Sequence, residues 1–248
     1  MRIIISPAKK MNMETDSLEW HSLPCFIDKT SEILAVLRSM SYGELKTLWK
    51  CNDQIARLNY DRIQNMDLEK NLSPAILSYE GIQYQYMAPN VFTNDEFDYV
   101  EEHLRIISGF YGILRPFDGL VPYRLEMQAK LKIGREKDLY AFWGSIPAQK
   151  LLSETDCIID LASKEYSQAI VKHLPASCKL ISCVFGEEVN GKIIEKGTMC
   201  KMARGEMVRF MAEKHVQSPY ELKTFNRLKY SYAPEISTEN KYVFLLSK

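Results

Sequence analysis

The chain has 248 residues, of which 46% are hydrophobic and 26% charged, a composition that supports a globular fold with a sizeable core. Its 32 basic and 32 acidic side chains cancel, so the net charge indicates no particular partner. The six cysteines form no CxxC pair and the four histidines are far apart, so nothing indicates a disulfide framework, a metal ion or another cofactor. The N-terminus is too polar for a signal peptide or a membrane span, and we therefore expect a cytoplasmic protein with no membrane partner.

The first half of the chain predicts one short strand followed by helices. RIIIS, at residues 2–6, is typical of a buried strand. Apolar periodicity predicts helices over residues 31–40 and 42–58. Thr93 and Glu96 have the spacing of a capping box, and the helix that they begin is predicted to reach about residue 108.

The second half mixes strands and helices without strict alternation. CIIDLAS, at residues 157–163, predicts a buried strand that leads directly into a helix capped by Ser163. Asn190-Gly191 lies between two apolar runs and predicts a β-hairpin. A helix over residues 199–215 and a final strand follow. This order favours an α+β (mixed α/β) fold, in a single domain over residues 1–248 with a mixed sheet and surrounding helices, over a doubly wound sheet.

The neutral net charge conceals a strongly uneven distribution. Residues 51–102 carry three basic and ten acidic side chains. Residues 103–137 carry seven basic and three acidic side chains, and residues 192–229 carry nine and four. If the two basic segments meet in the fold, they form a surface that attracts anions.

Two strand ends carry polar groups that suggest a ligand site. Ser6 and Lys9 follow the first strand, and Asp160 and Ser163 stand where the second strand passes into a helix. Carboxyl ends of strands and amino ends of helices are where open sheets commonly bind anions. The structural alternative is a surface turn with a solvated lysine at the first place and a simple helix cap at the second.

The helix over residues 199–215 has cations on one side of its predicted wheel. Lys201, Gly205 and Arg209 fall opposite the apolar face, and Arg204 flanks them. A glycine inside a helix costs roughly 1 kcal/mol relative to alanine, so something is expected to approach the backbone closely there. A phosphate backbone and a second packed helix are the two explanations that the sequence leaves open.

The segment LRIISGFYGILRPFDGLVPYRLEM, at residues 104–127, places three arginines among apolar residues. Arg105, Arg115 and Arg124 are therefore expected either to pair with carboxylates or to face an anionic partner. Only three acidic residues stand among the seven cations of residues 103–137, so pairing is not expected for all three arginines.

Several motifs together resemble one known family. ISPAK, HLRIISGFYGILRPFDGLVPYRLEM, KDLYAFWG, IIDLASKEY, KMARGEMVRF and FNRLKYSY are similar, in order and spacing, to the YaaA family of peroxide-stress proteins. The resemblance implies an intracellular single-domain protein with a basic cleft. It also implies that the protein helps cells to survive hydrogen peroxide by limiting free iron, and that it binds DNA through a helix-hairpin-helix element. The positions that match the family are Ser6, Lys9, Arg105, Arg115, Tyr123, Arg124, Lys137, Trp143, Asp160, Ser163, Tyr166, Lys201, Arg204 and Arg209.

The expected helix-hairpin-helix departs from the usual pattern. Residues 42–66 turn through Arg57, Leu58 and Asn59, with no glycine in the predicted turn. Asn59 can adopt the left-handed conformation that such a hairpin needs. We therefore give this element less weight than the two basic segments.

Three hypotheses follow. The first is a cytoplasmic DNA-binding protein of the peroxide response that holds the phosphates of duplex or structured DNA with low sequence specificity. The second is an enzyme acting on a small phosphorylated or nucleotide-like ligand, in a pocket of Ser6, Lys9, Asp160, Ser163 and Arg124. The third, a redox or iron-binding protein, is disfavoured by the scattered cysteines and histidines.

Overall fold

The computed structural model describes residues 1–13 and 18–247 and is built around one central sheet. The strands are Arg2–Ile5 (β1), Lys10–Met11 (β2), Ser73–Pro74 (β3), Tyr79–Glu80 (β4), Leu104–Ser108 (β5), Gly112–Leu114 (β6), Gly119–Leu120 (β7), Cys157–Asp160 (β8), Lys179–Val189 (β9), Lys192–Ile194 (β10), Tyr230–Tyr232 (β11) and Lys241–Leu246 (β12). The α-helices are Ile27–Ser39 (α1), Tyr42–Trp49 (α2), Asp53–Asn65 (α3), Ala75–Ser78 (α4), Ile82–Met87 (α5), Asn94–His103 (α6), Leu139–Trp143 (α7), Ile146–Leu152 (α8), Lys164–Val171 (α9) and Gly197–Glu213 (α10). Short 3₁₀ helices span Pro89–Val91, Pro219–Thr224 and Pro234–Ile236.

The central sheet has the order β11-β12-β9-β8-β1-β5-β6, with β10 paired to β9. The five strands from β12 to β5 are parallel, and β11 and β6 pair antiparallel at the two edges. The predicted mixed sheet is therefore confirmed. The parallel part is larger than the element order suggested, because the long run of residues between β1 and β5 is a crossover made of helices and small hairpins.

The strand order reverses between β1 and β8. From β1 the chain continues to β5 on one side, whereas from β8 it continues to β9 on the other side. Such a reversal leaves a crevice at the carboxyl ends of the two strands, where open α/β sheets bind their ligands. Ser6 follows β1 and Ser163 follows β8, so the fold brings these two predicted site residues to the crevice.

One continuous hydrophobic cluster joins the first strand to the last. Ile3, Ile4 and Ile5 of β1 are fully buried, and Phe244 of β12 belongs to the same cluster. The helix α10 packs on α5, α6 and β9, whereas α9 packs on α8 and contacts β1 and β5. Among the described residues, no helix is both long and apolar enough to cross a membrane.

Two predicted boundaries are wrong for local reasons. The helix begun by the capping box of Thr93 and Glu96 ends at His103, and the following residues form β5, because Leu104 onward pairs with β1. The predicted helix over residues 42–58 is divided at Lys50, whose φ of 47° is left-handed, and Asn59 lies inside α3. The hairpin at Asn190 and Gly191 is confirmed, since both residues have the positive φ that a tight two-residue turn requires.

Candidate functional site

Ser6 and Ser163 are joined directly at the crevice between β1 and β8. The backbone N–H of Ser163 donates to Ser6 Oγ at 2.8 Å, and the Ser6 hydroxyl donates to Ser163 Oγ at 3.1 Å. Ser163 occupies the N-cap position of α9, as predicted, but its own side chain makes no capping hydrogen bond. The Ser6 hydroxyl therefore accepts from the backbone of Ser163 and donates to its side chain, which ties the end of β1 to the start of α9.

Asp160 lies at the end of β8 and is almost completely buried. Its carboxylate accepts hydrogen bonds from the Ala162 backbone N–H and from the Ser167 hydroxyl. Burial raises the pKa of Asp160, and the hydrogen bonds together with the charge of Arg204 act in the opposite direction. The carboxylate thus anchors the first turn of α9 and remains within electrostatic reach of Arg204, a predicted site arginine.

Lys9 and Arg124 share one carboxylate. Lys9 Nζ lies 2.8 Å from Glu126 Oε2, and Arg124 Nη2 lies 3.6 Å from Glu126 Oε1. The lysine side chain is exposed, whereas that of Arg124 is nearly buried, and its Nε has no hydrogen-bond partner in the described part of the chain. Arg124 therefore retains donor capacity that the protein does not use.

A row of buried tyrosines supports this edge of the sheet from within. Tyr84 donates to the backbone carbonyl of Ser6 at 3.1 Å. The Tyr123 hydroxyl lies 2.8 Å from that of Tyr79 and 2.6 Å from Ser108 Oγ, and burial raises the pKa of Tyr123 to about 12. Burial likewise raises the pKa of Tyr166. These phenols are protonated core groups that position the crevice.

Arg105 belongs to a separate cluster, before β8. Its guanidinium binds Glu154, with Nε and Nη2 at 2.8 Å and 2.7 Å, and Arg2 and Lys150 contact the same carboxylate. Burial would raise the pKa of Glu154, but the charge of Arg105 and the other contacts outweigh it and lower the pKa. Glu154 precedes β8, so this cluster lies away from the crevice that follows the same strand.

Arg115, in the arginine-rich segment, and Trp143, which follows it in the chain, lie in different surroundings. Arg115 is exposed and lines a small cavity of about 240 Å³ beside the Glu154 cluster. Trp143 is buried and donates to the backbone carbonyl of Gly109 at 2.9 Å. Of the three arginines, Arg105 is thus a buried ion-pair partner, Arg124 is partly satisfied, and Arg115 faces solvent.

The cationic face predicted for α10 is largely covered. Gly205 is buried, and a Cβ placed on it would lie 2.0 Å from the backbone carbonyl oxygen of Gln83 in α5. The close approach at this glycine is therefore a packed helix, and the interpretation that a phosphate backbone approaches here is wrong. Arg204 is nearly buried 3.6 Å from Glu195, and Arg209 pairs with Glu213 at 2.7 Å. Lys201 is exposed on the first turns of the same helix.

Residues 127–133 alternate strictly between buried and exposed side chains. Met127, Ala129, Leu131 and Ile133 are buried, whereas the residues between them face solvent. The exposed cations of this segment and the turn that follows are Lys130, Lys132, Arg135 and Lys137, which we call the basic ridge. None of the four makes an ion pair with any described residue, so their charges are available to a partner.

A groove of about 590 Å³ separates the start of the basic ridge from α2. Met40, Leu48 and Trp49 supply apolar lining, and Lys9, Lys50 and Lys130 supply cations. The turn between α2 and α3 lies at Lys50 and is followed by Asn52, which caps α3 through the N–H of Ile55. The turn between these two helices therefore lies at Lys50, and the turn predicted at Arg57, Leu58 and Asn59 is wrong, because those residues lie inside α3.

The cysteines are all free thiols. Cys183 and Cys200 are buried, and Cys157 is half-buried. Burial raises the pKa of Cys25 to about 11. In residues 1–13 and 18–247, no group of three or more histidine, cysteine, aspartate or glutamate side chains is arranged to hold a metal ion.

The part of the chain that matches known proteins includes all the residues of the crevice, the groove and the basic ridge. A family model described as peroxide stress protein YaaA matches residues 1–236. The chain belongs to the YaaA family. It is 55% identical over 245 residues to a UPF0246 protein of Lachnoclostridium phytofermentans, a match that covers 99% of this chain and 96% of the relative. UPF0246 proteins of Desulfitobacterium hafniense, at 54% identity, and Agathobacter rectalis, at 53%, match with coverage of 98% or more on both sides.

The sequence pattern did not single out three exposed, unpaired cations of this YaaA-family protein. Lys130, Lys132 and Arg135 were counted in a basic segment but not singled out, although QAKLKI shows the alternation of apolar and charged residues directly. Lys50 and Trp49 carried no motif of their own. Their position became visible only when the turn between α2 and α3 was located.

Proposed function

We propose that this YaaA-family protein binds DNA through the basic ridge and the lysines of the adjoining groove. The observation that carries the proposal is a set of four surface cations within eight residues, Lys130, Lys132, Arg135 and Lys137, with no intramolecular ion pair among the described residues. Lysine and arginine neutralise phosphates and release condensed counterions, which favours binding without sequence readout.

The spacing of the ridge suits an extended polyanion. Lys130 and Lys132 stand two residues apart, with Leu131 buried between them. In an extended chain, side chains two residues apart lie roughly 7 Å from each other on one side. Successive cations on one face can therefore engage successive charges along a nucleic-acid strand, as a single isolated lysine cannot.

The turn between α2 and α3 is the part of the chain that best fits the helix-hairpin-helix expectation. Lys50 adopts the left-handed conformation that hairpins commonly give to glycine, and α3 begins three residues later. Asn52 already caps the N–H of Ile55, and Asp53 pairs with Lys46 at 2.8 Å. We therefore assign the turn the supporting role of presenting Lys50, and the ridge the larger share of the phosphate contacts.

Fluorescence anisotropy with a labelled duplex over a salt series tests this proposal. Replacing Lys130 and Lys132 together by glutamine should weaken binding on any sequence and lower the slope of log affinity against log salt by about 0.9 for each lost contact. Lys192→Gln, an exposed lysine in the β9–β10 hairpin, is the matched control and should leave the slope unchanged. Unchanged affinity and slope in the double variant would remove the ridge from the DNA site.

A second candidate is a small phosphorylated ligand at the crevice, with or without catalysis. It is favoured by the reversal of strand order between β1 and β8 and by the unused Nε donors of Arg124 and Arg204, both nearly buried. Inorganic phosphate or a nucleoside monophosphate should then raise the melting temperature, by an amount that grows with the logarithm of ligand concentration. Arg124→Gln should abolish that rise, whereas no rise in the wild type would dismiss this candidate.

The biological role that we propose is protection of cells against hydrogen peroxide by a protein that binds their DNA. Peroxide stress is the description that the family model carries, and DNA binding is the activity that the ridge favours. The connection to limiting free iron and the cytoplasmic location stay predictions. Peroxide survival of a deletion strain that carries the wild-type chain or the Lys130 and Lys132 double variant tests whether DNA binding and protection are linked.

A further inference from the structure

The small cavity beside the Glu154 cluster is surrounded by more positive than negative charge. The cations around it are Arg2, Arg105, Arg115 and Lys150. The carboxylates in its lining are Asp118 and Glu154. Four cations against two carboxylates leave an excess of two positive charges in one place, although the chain as a whole is neutral. We call this space the anion cavity.

Glu154 does not neutralise the cations that share it. Its carboxylate lies 2.7 Å from Arg105 Nη2, 3.1 Å from Lys150 Nζ and 3.2 Å from Arg2 Nε. One negative charge therefore faces three positive charges. Burial lowers the pKa of Arg105, and repulsion by Arg2 acts in the same direction, whereas Glu154 opposes both. The cluster thus carries surplus positive charge before Arg115 is considered.

Arg115 adds a charge that no described carboxylate takes up. Asp118 is only 3% exposed, and its oxygens accept hydrogen bonds from the Ser22 hydroxyl at 2.7 Å and from the backbone N–H of Arg115 at 2.8 Å. The Arg115 guanidinium makes no ion pair or hydrogen bond with any described residue. Arg115 is exposed, and the Lys150 side chain is 32% exposed. A ligand from solvent can therefore reach both cations.

The size and lining of the anion cavity limit the kind of ligand. Its volume of about 240 Å³ is below the roughly 300–1,000 Å³ of pockets for drug-sized molecules, so the ligand has few heavy atoms. The guanidinium of Arg115 matches two oxygens of a phosphate or carboxylate, and the ammonium of Lys150 adds a point charge. The lining carboxylates repel an anion weakly, because Glu154 is held by three cations and Asp118 is nearly buried.

We propose that the anion cavity binds one phosphate group between Arg115 and Lys150. The excess of two positive charges favours a doubly charged phosphate over a singly charged carboxylate. Inorganic phosphate and the phosphate of a very small ester share this chemistry, and the volume leaves room for few further atoms. No residue of the basic ridge or of the crevice between β1 and β8 lines the cavity, so the site is separate from both proposed functions.

Titration calorimetry and thermal unfolding with inorganic phosphate test the proposal, against chloride at equal ionic strength. At a phosphate concentration tenfold above the dissociation constant, the melting temperature of the wild type should rise by roughly 3–6 °C. Arg115→Gln should weaken binding at least about tenfold, and its melting temperature without phosphate should stay unchanged, because the side chain has no described partner to lose.

Two further variants locate the phosphate. Arg135→Gln, at an equally exposed arginine of the basic ridge, and Arg124→Gln, at the crevice, should both keep the wild-type affinity. Loss of binding in either variant with full binding in Arg115→Gln would place the phosphate elsewhere and overturn the proposal. A wild type that shows no heat of binding and no rise in melting temperature would overturn it as well.

The source of the phosphate group and its relation to DNA are separated by two other probes. Glycerol phosphate that binds more tightly than inorganic phosphate would identify a small ester as the ligand, and weaker binding would identify the free ion. Arg115→Gln should bind a labelled duplex as the wild type does. A loss of duplex affinity in this variant would make the cavity part of the DNA surface and contradict a small ligand, whereas failure of all duplex binding would leave the anion cavity unaffected.

Discussion

Ser6 Oγ lies 2.8 Å from the backbone nitrogen of Ser163, a hydrogen bond that joins residues 157 positions apart in the chain. It fastens the loop after β1 to the first turn of α9, at the place where the strand order of the sheet reverses. The sequence placed both serines at strand ends, and the parallel pairing of β1 with β8 brought them together. The bond therefore helps to set the shape of the crevice between β1 and β8. Lys9, which lines the groove, comes three residues after Ser6.

The two serines should differ in their effect on stability. Ser6→Ala leaves the Ser163 N–H without its acceptor in a nearly buried place and should lower the free energy of unfolding by about 1–3 kcal/mol. Ser163→Ala removes only the weaker hydroxyl contact and should cost less than about 1 kcal/mol. Urea denaturation of the two variants checks the order, and an equal or reversed effect would contradict the assigned roles.

Gly205 should tolerate no side chain. A Cβ there meets the backbone carbonyl of Gln83, so Gly205→Ala forces α10 and α5 apart and should lower the free energy of unfolding by about 3 kcal/mol. Gly197 begins the same helix and has open space around it, so Gly197→Ala is the matched control and should be neutral or slightly stabilising. A stable Gly205→Ala protein that loses only DNA binding would restore the phosphate interpretation of this helix.

The Glu154 cluster should make stability depend on acid. Glu154→Gln leaves Arg105 buried without its carboxylate and should cost roughly 3 kcal/mol near neutral pH. Because the folded pKa of Glu154 lies below its ordinary value of 4.5, the wild type holds this stability above about pH 4.5 and loses it as the pH falls through the folded pKa. The difference between wild type and variant in denaturation experiments should therefore shrink below pH 4.5, and a difference that grows in acid would contradict the assignment.

The buried thiols should not respond to peroxide. Burial raises the pKa of Cys183 and of Cys200, so both stay protonated at neutral pH, and the thiolate is the form that peroxide oxidises. Intact-protein and peptide mass spectrometry after treatment with hydrogen peroxide should find both unmodified while the fold persists. Rapid sulfenic acid or disulfide formation at either residue would revive the redox hypothesis.

Local patterns predicted the elements better than they predicted their contacts. The strands at residues 2–6 and 157–163, the capping box of Thr93 and the hairpin at Asn190 follow from short-range chemistry, and each is present. Two boundaries failed because β5 extends by pairing with β1, and because a non-glycine residue, Lys50, takes the left-handed turn.

The site residues divide in the same way. Ser6 and Ser163 met because strand ends in a parallel sheet share an edge, which the sequence could indicate. The partners of Arg105 and Gly205 could not be predicted, since Glu154 and Gln83 are distant in the chain and carry no motif. A charged helix face on a wheel says nothing of what packs against it, and α5 covers the face that the wheel left open.

The basic ridge itself is tested most directly by the reactivity of its lysines with and without DNA. Acetylation by a small reagent, read by peptide mass spectrometry, reports the exposure of each ε-amino group in the wild-type chain. With a short duplex bound, Lys130, Lys132 and Lys137 should lose most of their reactivity, while Lys192 and Lys241, exposed in β10 and β12, should keep theirs. Full reactivity of the three ridge lysines in a complex shown by anisotropy to be saturated would contradict the account.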